Sequence, residues 1–281
     1  MPDNRPNTPS KTNYELIAID VDGTLLNSSH ELSEGIEGTL EAVSAKGVHP
    51  VLITGRTACV IWPLLEKLAV SPYYISDGGA CVAHFDQGII TLNPVRRVDA
   101  ELITSLAREQ ELGLCFHEMD GMSCELDEDT LDLMRRVLSI DLTRVQDVLV
   151  SSQGDPAKIT VFGDQDKLKK LDQALQATAC HIHTTFAGPI YLEITNQVVS
   201  KGKALKLLAD HLAIPSQKIL AVGDQENDLS TFQVAGYAVA MGNAPQVVKD
   251  AADMVALSND EGGLALALQQ LLLGDKGVPQ R

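Results

Sequence analysis

Aromatic side chains are scarce: five Tyr, five Phe and one Trp make up 4% of the 281 residues. A core with so few rings rests on Leu, Val, Ile and Ala, which suits helices and buried parallel strands better than an aromatic-rich sandwich. Basic residues are also few, 22 Lys and Arg against 38 Asp and Glu, for a formal net charge of −16. Such a surface repels nucleic-acid backbones and anionic lipid, so neither nucleic acid nor membrane is expected as a partner. An anionic ligand would need positive charge brought to it locally, by a metal or by a few placed basic side chains. No apolar run is long enough to span a bilayer. The cysteines, Cys59, Cys81, Cys115, Cys124 and Cys180, include no Cys-x-x-Cys pair, and this odd, scattered set predicts reduced thiols and a cytoplasmic location. Residues 1–13 are polar and proline-rich, which reads as a disordered tail and not as a signal peptide.

What is present is an alternation. Glu15–Val21 is a short apolar run of the kind that forms a buried strand. Ser33 stands where it would cap a helix carrying Ile36, Leu40 and Val43 on one face. Strand-like Val48–Ile53, helical Ala58–Leu68 and strand-like Tyr73–Ser76 follow, so the start of the chain reads as α/β with a parallel sheet. From residue 84 the rhythm changes to hairpins and single helices, with turns at Phe85-Asp86-Gln87 and Asp120-Gly121 and with Asp99 as a helix cap. The parallel rhythm resumes with a helix at Lys201–Leu212 and a strand at Lys218–Val222. The expected organisation is a core of residues 14–83 and 191–281, with an α+β unit of residues 84–190 inserted into it.

The polar residues that matter stand at strand exits. In open α/β sheets, ligands bind beyond the carboxyl ends of the strands. Asp20 and Asp22 leave the first strand two residues apart, so both can face one cleft, and Gly23 permits a tight turn after them. Asp224, Asn227 and Asp228 follow the apolar run Ile219–Val222, on the same sheet edge. Carboxylates so crowded call for a divalent cation, and a hard oxygen set suits Mg2+, which makes Asp224 a metal-ligand candidate. Asn227 or Asp228 would also serve as N-cap of a helix beginning at Leu229. Thr54, Gly55 and Arg56 follow the second strand and offer a hydroxyl and backbone N–H groups to phosphate oxygens. Ser200-Lys201-Gly202-Lys203 opens the helix that resumes the core, and one of its lysines could neutralise that phosphate; Lys201 is preferred over Lys203, although the spacing alone does not decide between them. His181 and His183 alternate along one strand with no third ligand in pattern. His117, Glu118 and Cys124 lie near hairpin turns, and Trp62 reads as core.

Together these segments resemble the haloacid dehalogenase superfamily, in particular its Cof-like subclass IIB phosphatases. The resemblance is carried by Asp20–Thr24, by Thr54–Arg56, by Val199–Leu205 and by Gly223–Asp228 with Val239–Ala244. It implies a Rossmann-like core with a C2B-type cap that selects a small phosphorylated metabolite, sugar phosphates above others. It further implies Asp20 as nucleophile, Asp22 as acid and base, and Mg2+ held by Asp20, the Asp22 carbonyl and Asp224. Thr54, Gly55 and Lys201 would hold the phosphate, with Arg56, Asn227 and Asp228 in support. The chain departs from the family at Gly78, where Asn is usual, and at Thr231, where Met is common. A sugar phosphomutase could use the same nucleophile, and a non-catalytic binding protein is the rival of another class. A dinucleotide-dependent oxidoreductase would need a Gly-x-Gly-x-x-Gly after the first strand, and none is there.

Overall fold

The computed structural model describes residues 14–138 and 142–274; the expected tail at 1–13 lies outside them. Fourteen strands are described: β1 (Leu16–Asp20), β2 (His49–Ile53), β3 (Tyr73–Ser76), β4 (Cys81–His84), β5 (Gly88–Leu92), β6 (Gly113–Glu118), β7 (Gly121–Glu125), β8 (Thr143–Arg144), β9 (Lys158–Phe162), β10 (Ile182–Gly188), β11 (Tyr191–Asn196), β12 (Ile219–Gly223), β13 (Tyr237–Ala240) and β14 (Met254–Val255). Ten α-helices are described with them: α1 (Ile36–Ser44), α2 (Ala58–Lys67), α3 (Arg97–Glu109), α4 (Glu128–Leu138), α5 (Val148–Ser151), α6 (Gln165–Gln176), α7 (Lys201–His211), α8 (Leu229–Phe232), α9 (Gln246–Ala251) and α10 (Gly263–Leu268). The chain divides into two compact units, one of residues up to 53, 65–74 and from 201, the other of residues 54–64 and 75–200.

The first unit is built on a parallel sheet of order β14-β13-β12-β1-β2. Each residue of β1 and β12 is buried, as expected of strands covered on both faces. Ile17 stands beside Leu220 on one side and Pro50 on the other, and Asp20 ends β1 opposite Ile53. The register therefore brings the carboxyl ends of β1 and β12 side by side. Helix α1 buries Ile36, Leu40 and Val43, the stripe expected of it. Its cap differs from expectation. Gly35, in the left-handed conformation, takes the N-cap position without a side-chain bond, while Ser33 donates its hydroxyl to the Asn259 carbonyl.

In the second unit a six-stranded sheet runs β10-β11-β9-β6-β7-β8. Alternation along its strands separates two faces. Leu114, Phe116, Ile159, Val161, Leu192 and Ile194 join Ile103 of α3 and Leu168, Leu171 and Leu175 of α6 in one core. Cys115, His117, Lys158, Thr160 and Glu193 alternate with those residues and take the opposite face, with His117 beside Lys158 and Thr160 between Cys115 and Glu193. β4 and β5 form the expected antiparallel hairpin. Asp99 does not cap α3; it lies in the first turn, and Arg96 holds its carboxylate with bonds of 2.7 and 3.0 Å. The expectation of five thiols is also corrected. Cys115 and Cys124 face one another across the β6–β7 hairpin in a disulfide, leaving Cys59, Cys81 and Cys180 free. No helix among the described residues is long and apolar enough to cross a membrane.

Candidate active site

Three carboxylates of the first unit meet where β1 and β12 end. Asp20, Asp224 and Asp228, all buried, offer oxygens that lie within 4.8 Å of one another. Lys201, the first residue of α7, is 3% exposed and donates to Asp20 Oδ1 at 2.6 Å and to Asp228 Oδ1 at 2.7 Å. Burial alone would lower the Lys201 ammonium, but the Asp20 and Asp228 charges outweigh it and hold the group charged. Burial pushes the Asp20 carboxyl up, and the neighbouring Asp228 and Asp224 charges push the same way against Lys201. Three carboxylates thus share a single ammonium.

Each carboxylate is aimed by its neighbours. Asp228 Oδ2 accepts from the backbone N–H groups of Asp224 and Gln225, each at 3.0 Å. This bond closes the 3-10 turn Glu226–Asp228, whose N-cap is Gln225. Asp228 also stands at the expected N-cap position of α8, without a side-chain bond to that helix; its side chain holds the turn that presents Asp224. Asp224 Oδ1 accepts from the Thr24 hydroxyl at 3.0 Å, and Oδ2 from Gln225 Nε2 at 3.0 Å and Asn243 Nδ2 at 3.3 Å. Asn243 Nδ2 also donates to the Gly23 carbonyl at 2.9 Å. Gly23 has no substitute here, because its φ is +82° and a Cβ would fall 2.4 Å from Asp224 Oδ2. Burial is the main cause that raises the Asp224 carboxyl, and the Asp228 charge adds to it. A second positive charge among these oxygens would relieve both Asp20 and Asp224. The donor set is all oxygen, so the residues fit a divalent cation such as Mg2+.

Other residues singled out by the sequence lie outside this cluster. Asp22 is half-exposed, with His30 Nδ1 3.6 Å from its Oδ1. The Asn227 side chain is exposed, and its carbonyl accepts from the Ser230 hydroxyl at 3.0 Å. Thr54, Gly55 and Arg56 belong to the second unit. There Thr54 Oγ1 accepts from the Arg56 N–H at 3.0 Å, Lys158 Nζ donates to the Gly55 carbonyl at 2.8 Å, and the Asp77 N–H donates to the Arg56 carbonyl at 2.9 Å. His117 and Thr160 are joined at 2.8 Å, whereas Glu118 accepts from the Ser123 and Ser152 hydroxyls. Trp62 is half-buried and meets Phe85 edge-on. Thr24, Gln225 and Asn243 carry functions that sequence reasoning left unassigned. Thr24 and Asn243 stand inside the quoted motifs, but which carboxylate they hold depends on the sheet order.

Comparison with known proteins covers most of the chain. Residues 17–268 match the model of the haloacid dehalogenase-like hydrolase family. Phosphatase YwpJ of Bacillus subtilis is 30% identical over 92% of this chain and 100% of its own length. A 5-amino-6-(5-phospho-D-ribitylamino)uracil phosphatase of the same organism, YwtE, is also 30% identical, over 92% of this chain and 98% of its own. Among solved structures, a haloacid dehalogenase-like hydrolase from Bacteroides thetaiotaomicron is 28% identical and superposes with a TM-score of 0.87, over 92% of this chain and 100% of that one. A match that runs through β1, α7 and β12 alike takes in every residue of the carboxylate cluster, and on that extent the chain belongs to the haloacid dehalogenase-like hydrolases.

Proposed function

We propose that the protein is a Mg2+-dependent phosphatase that hydrolyses a small phosphorylated metabolite, a sugar phosphate above others, through an aspartyl-phosphate on Asp20. The observation that carries this reading is the state of Asp20. Its Oδ1 is pinned by Lys201, while its Oδ2 makes no hydrogen bond among the described residues, so one oxygen is oriented and the other is free to attack. Asp20 Oδ2 would bond to phosphorus as the ester P–O bond breaks, and Asp22 would give its proton to the departing alkoxide. Asp22 would then take a proton from the water that attacks the aspartyl-phosphate, releasing phosphate and restoring Asp20. The half-exposed position of Asp22 suits a group that exchanges protons with water. Asp20 and Asp224, with the Asp22 carbonyl, would hold Mg2+, which supplies charge to an anionic nucleophile and an anionic substrate. Lys201, held charged, would neutralise phosphate oxygens, and Asp228 would fix Lys201.

Thr54 and Gly55, with Arg56 beside them, are the proposed phosphate loop. A Cβ on Gly55 would meet no protein atom within 4 Å, and its φ is not left-handed. Neither packing nor backbone demands glycine there, which leaves the backbone open to the close approach of a ligand. Residues 84–190 are proposed as the cap that reads the leaving group, and 14–83 with 191–281 as the core. The relative named for a phosphorylated ribitylamino compound supports a polyhydroxylated substrate. Phosphate release from a panel of sugar, polyol, nucleotide and pyridoxal phosphates, with Mg2+ and with chelator, tests the proposal. The expected result is release that requires Mg2+ and is fastest on a sugar or polyol phosphate. Release that persists unchanged in chelator, or none from any ester, contradicts it.

A further inference from the structure

The second unit contains a chain of buried polar groups that the proposed chemistry does not use. Asp77, on the turn after β3, is fully buried and has a φ of +52°, a left-handed conformation that costs a residue with a side chain. Three bonds hold it there. Its N–H donates to the Arg56 carbonyl at 2.9 Å, Oδ1 accepts from the Thr57 hydroxyl at 2.9 Å, and Oδ2 accepts from the Ser76 hydroxyl at 2.9 Å. Since Thr57 gives its one proton to Asp77, its oxygen must accept from His117 Nδ1, 2.5 Å away. His117 is buried, which lowers its basicity well below the ordinary value and keeps it neutral. It therefore carries its proton on Nδ1, and Nε2 accepts from the Thr160 hydroxyl at 2.8 Å. One directed chain runs Thr160, His117, Thr57, Asp77.

A second tether starts one residue pair away. Lys158, 3% exposed, donates to the Gly55 carbonyl at 2.8 Å and to Glu193 Oε1 at 2.5 Å. The carbonyls of Gly55 and Arg56, and the Thr57 hydroxyl, are thus all fixed by residues of this unit. A planar trans peptide points its N–H opposite to its carbonyl, so fixing those carbonyls also fixes the direction of the Arg56 and Thr57 N–H groups. Burying an ammonium is costly, and the bonds of Lys158 to Glu193 and to the Gly55 carbonyl offset that cost.

We propose that Lys158 and His117 are positioning residues for the phosphate loop Thr54–Arg56. This rests on the proposed function, which makes that loop the phosphate site. A residue that orients the loop acts on the phosphoryl group common to all substrates, and not on the leaving group. Lys158→Met and His117→Phe should therefore weaken inorganic phosphate binding, and lower kcat/KM for every ester by a similar factor of about ten to a hundred. His117→Asn, which keeps a donor near the Nδ1 position, should recover most of the loss.

The test measures inorganic phosphate affinity by 31P titration, kcat and KM on three esters with unlike leaving groups, and the thermal midpoint. Parallel losses on all esters with weakened phosphate binding support the proposal. Losses that depend on the leaving group overturn it, because Lys158 would then read the substrate. A lowered midpoint with unchanged phosphate affinity overturns it too, leaving a purely structural role. If Lys158→Met does not fold, Lys158→Gln, which keeps N–H donors and no charge, takes the same measurements under the same criteria. A wild-type protein that binds phosphate but hydrolyses no ester would refute the phosphatase reading alone, and the variants' phosphate affinities would still decide the inference. A wild-type protein that binds no phosphate refutes both.

Discussion

The two buried polar clusters differ in what they leave unfinished. In the first unit, Asp20, Asp224 and Asp228 share one lysine, and an oxygen of the nucleophile candidate makes no hydrogen bond among the described residues. In the second, Thr160, His117, Thr57, Ser76 and Asp77 pair donor to acceptor along the chain, and Lys158 meets Glu193. Both bury charge at the cost that burial always carries. The first has three carboxylates to one ammonium, which suits a site that takes a cation and reacts. The second closes on itself, which suits a site that holds a backbone still. The same residue types thus serve chemistry in one place and geometry in the other, and the number of unmet bonds separates them.

Substitutions sharpen that contrast, and the largest effect is expected at the open cluster. Asp20→Asn should abolish turnover, by more than about a thousandfold, while circular dichroism shows an intact fold, because two carboxylates remain for the one ammonium. Lys201→Met should be next. It removes the one cation between Asp20 and Asp228 and should cost about 3–5 kcal/mol in denaturant unfolding. A loss below about 1 kcal/mol would mean that the pair is far better solvated than its burial implies.

The closed cluster should show itself through pH. Burial raises Asp77 to about 6, with Lys158, Ser76 and Thr57 opposing and Glu193 adding to the rise. A carboxyl raised in the folded state contributes stability that is complete below its unfolded value near 3.8 and is lost as pH rises through about 6. The loss is about 3 kcal/mol for a shift of this size. Asp77→Asn should therefore gain on the wild type between pH 4 and pH 7, as read from unfolding midpoints at each pH. His117, lowered in the folded state, works the other way, with stability present above its unfolded value of 6.5 and lost as pH falls. A difference between Asp77→Asn and wild type that does not change with pH would show that Asp77 is not a buried ionisable group. The smallest effect belongs to a pair in neither cluster. Lys206 and Asp210, exposed on α7, should change stability by no more than about 0.5 kcal/mol when Lys206 becomes Ala.

How much of this was legible in the sequence follows from the same contrast. Asp20 and Asp224 could be found because each stands where an apolar strand gives way to polar residues, whereas Lys201 opens a helix beside Lys203 and position alone does not separate the two. The meeting of the two carboxylates then follows from parallel strand order. The second cluster sends no such signal. His117, Lys158 and Glu193 lie on separate strands of a largely antiparallel sheet, where the register of β6, β9 and β11 joins them, and Asp77 stands on the turn after β3 and meets His117 through the Thr57 hydroxyl. Ser33 caps no helix because Gly35, in the left-handed conformation, takes the N-cap position, and the serine hydroxyl bonds the Asn259 carbonyl instead. The Cys115–Cys124 disulfide escaped because counting cysteines ignores register. Glu118 pairs with Gly121, so the hairpin tip is Met119-Asp120, and it is this register that sets Cys115 opposite Cys124.

The account rests on Asp20 as the atom that takes the phosphoryl group, and rapid quenching of Asp22→Ala tests this directly. Without the Asp22 carboxylate, an activated aryl phosphate should still transfer its phosphoryl group, but water should remove it slowly. Mass analysis of the acid-quenched protein should then find phosphate on the peptide that contains Asp20, after a burst of phenol release. Phosphate on any other residue, or steady turnover of Asp22→Ala with no trapped phosphoprotein, would contradict the account.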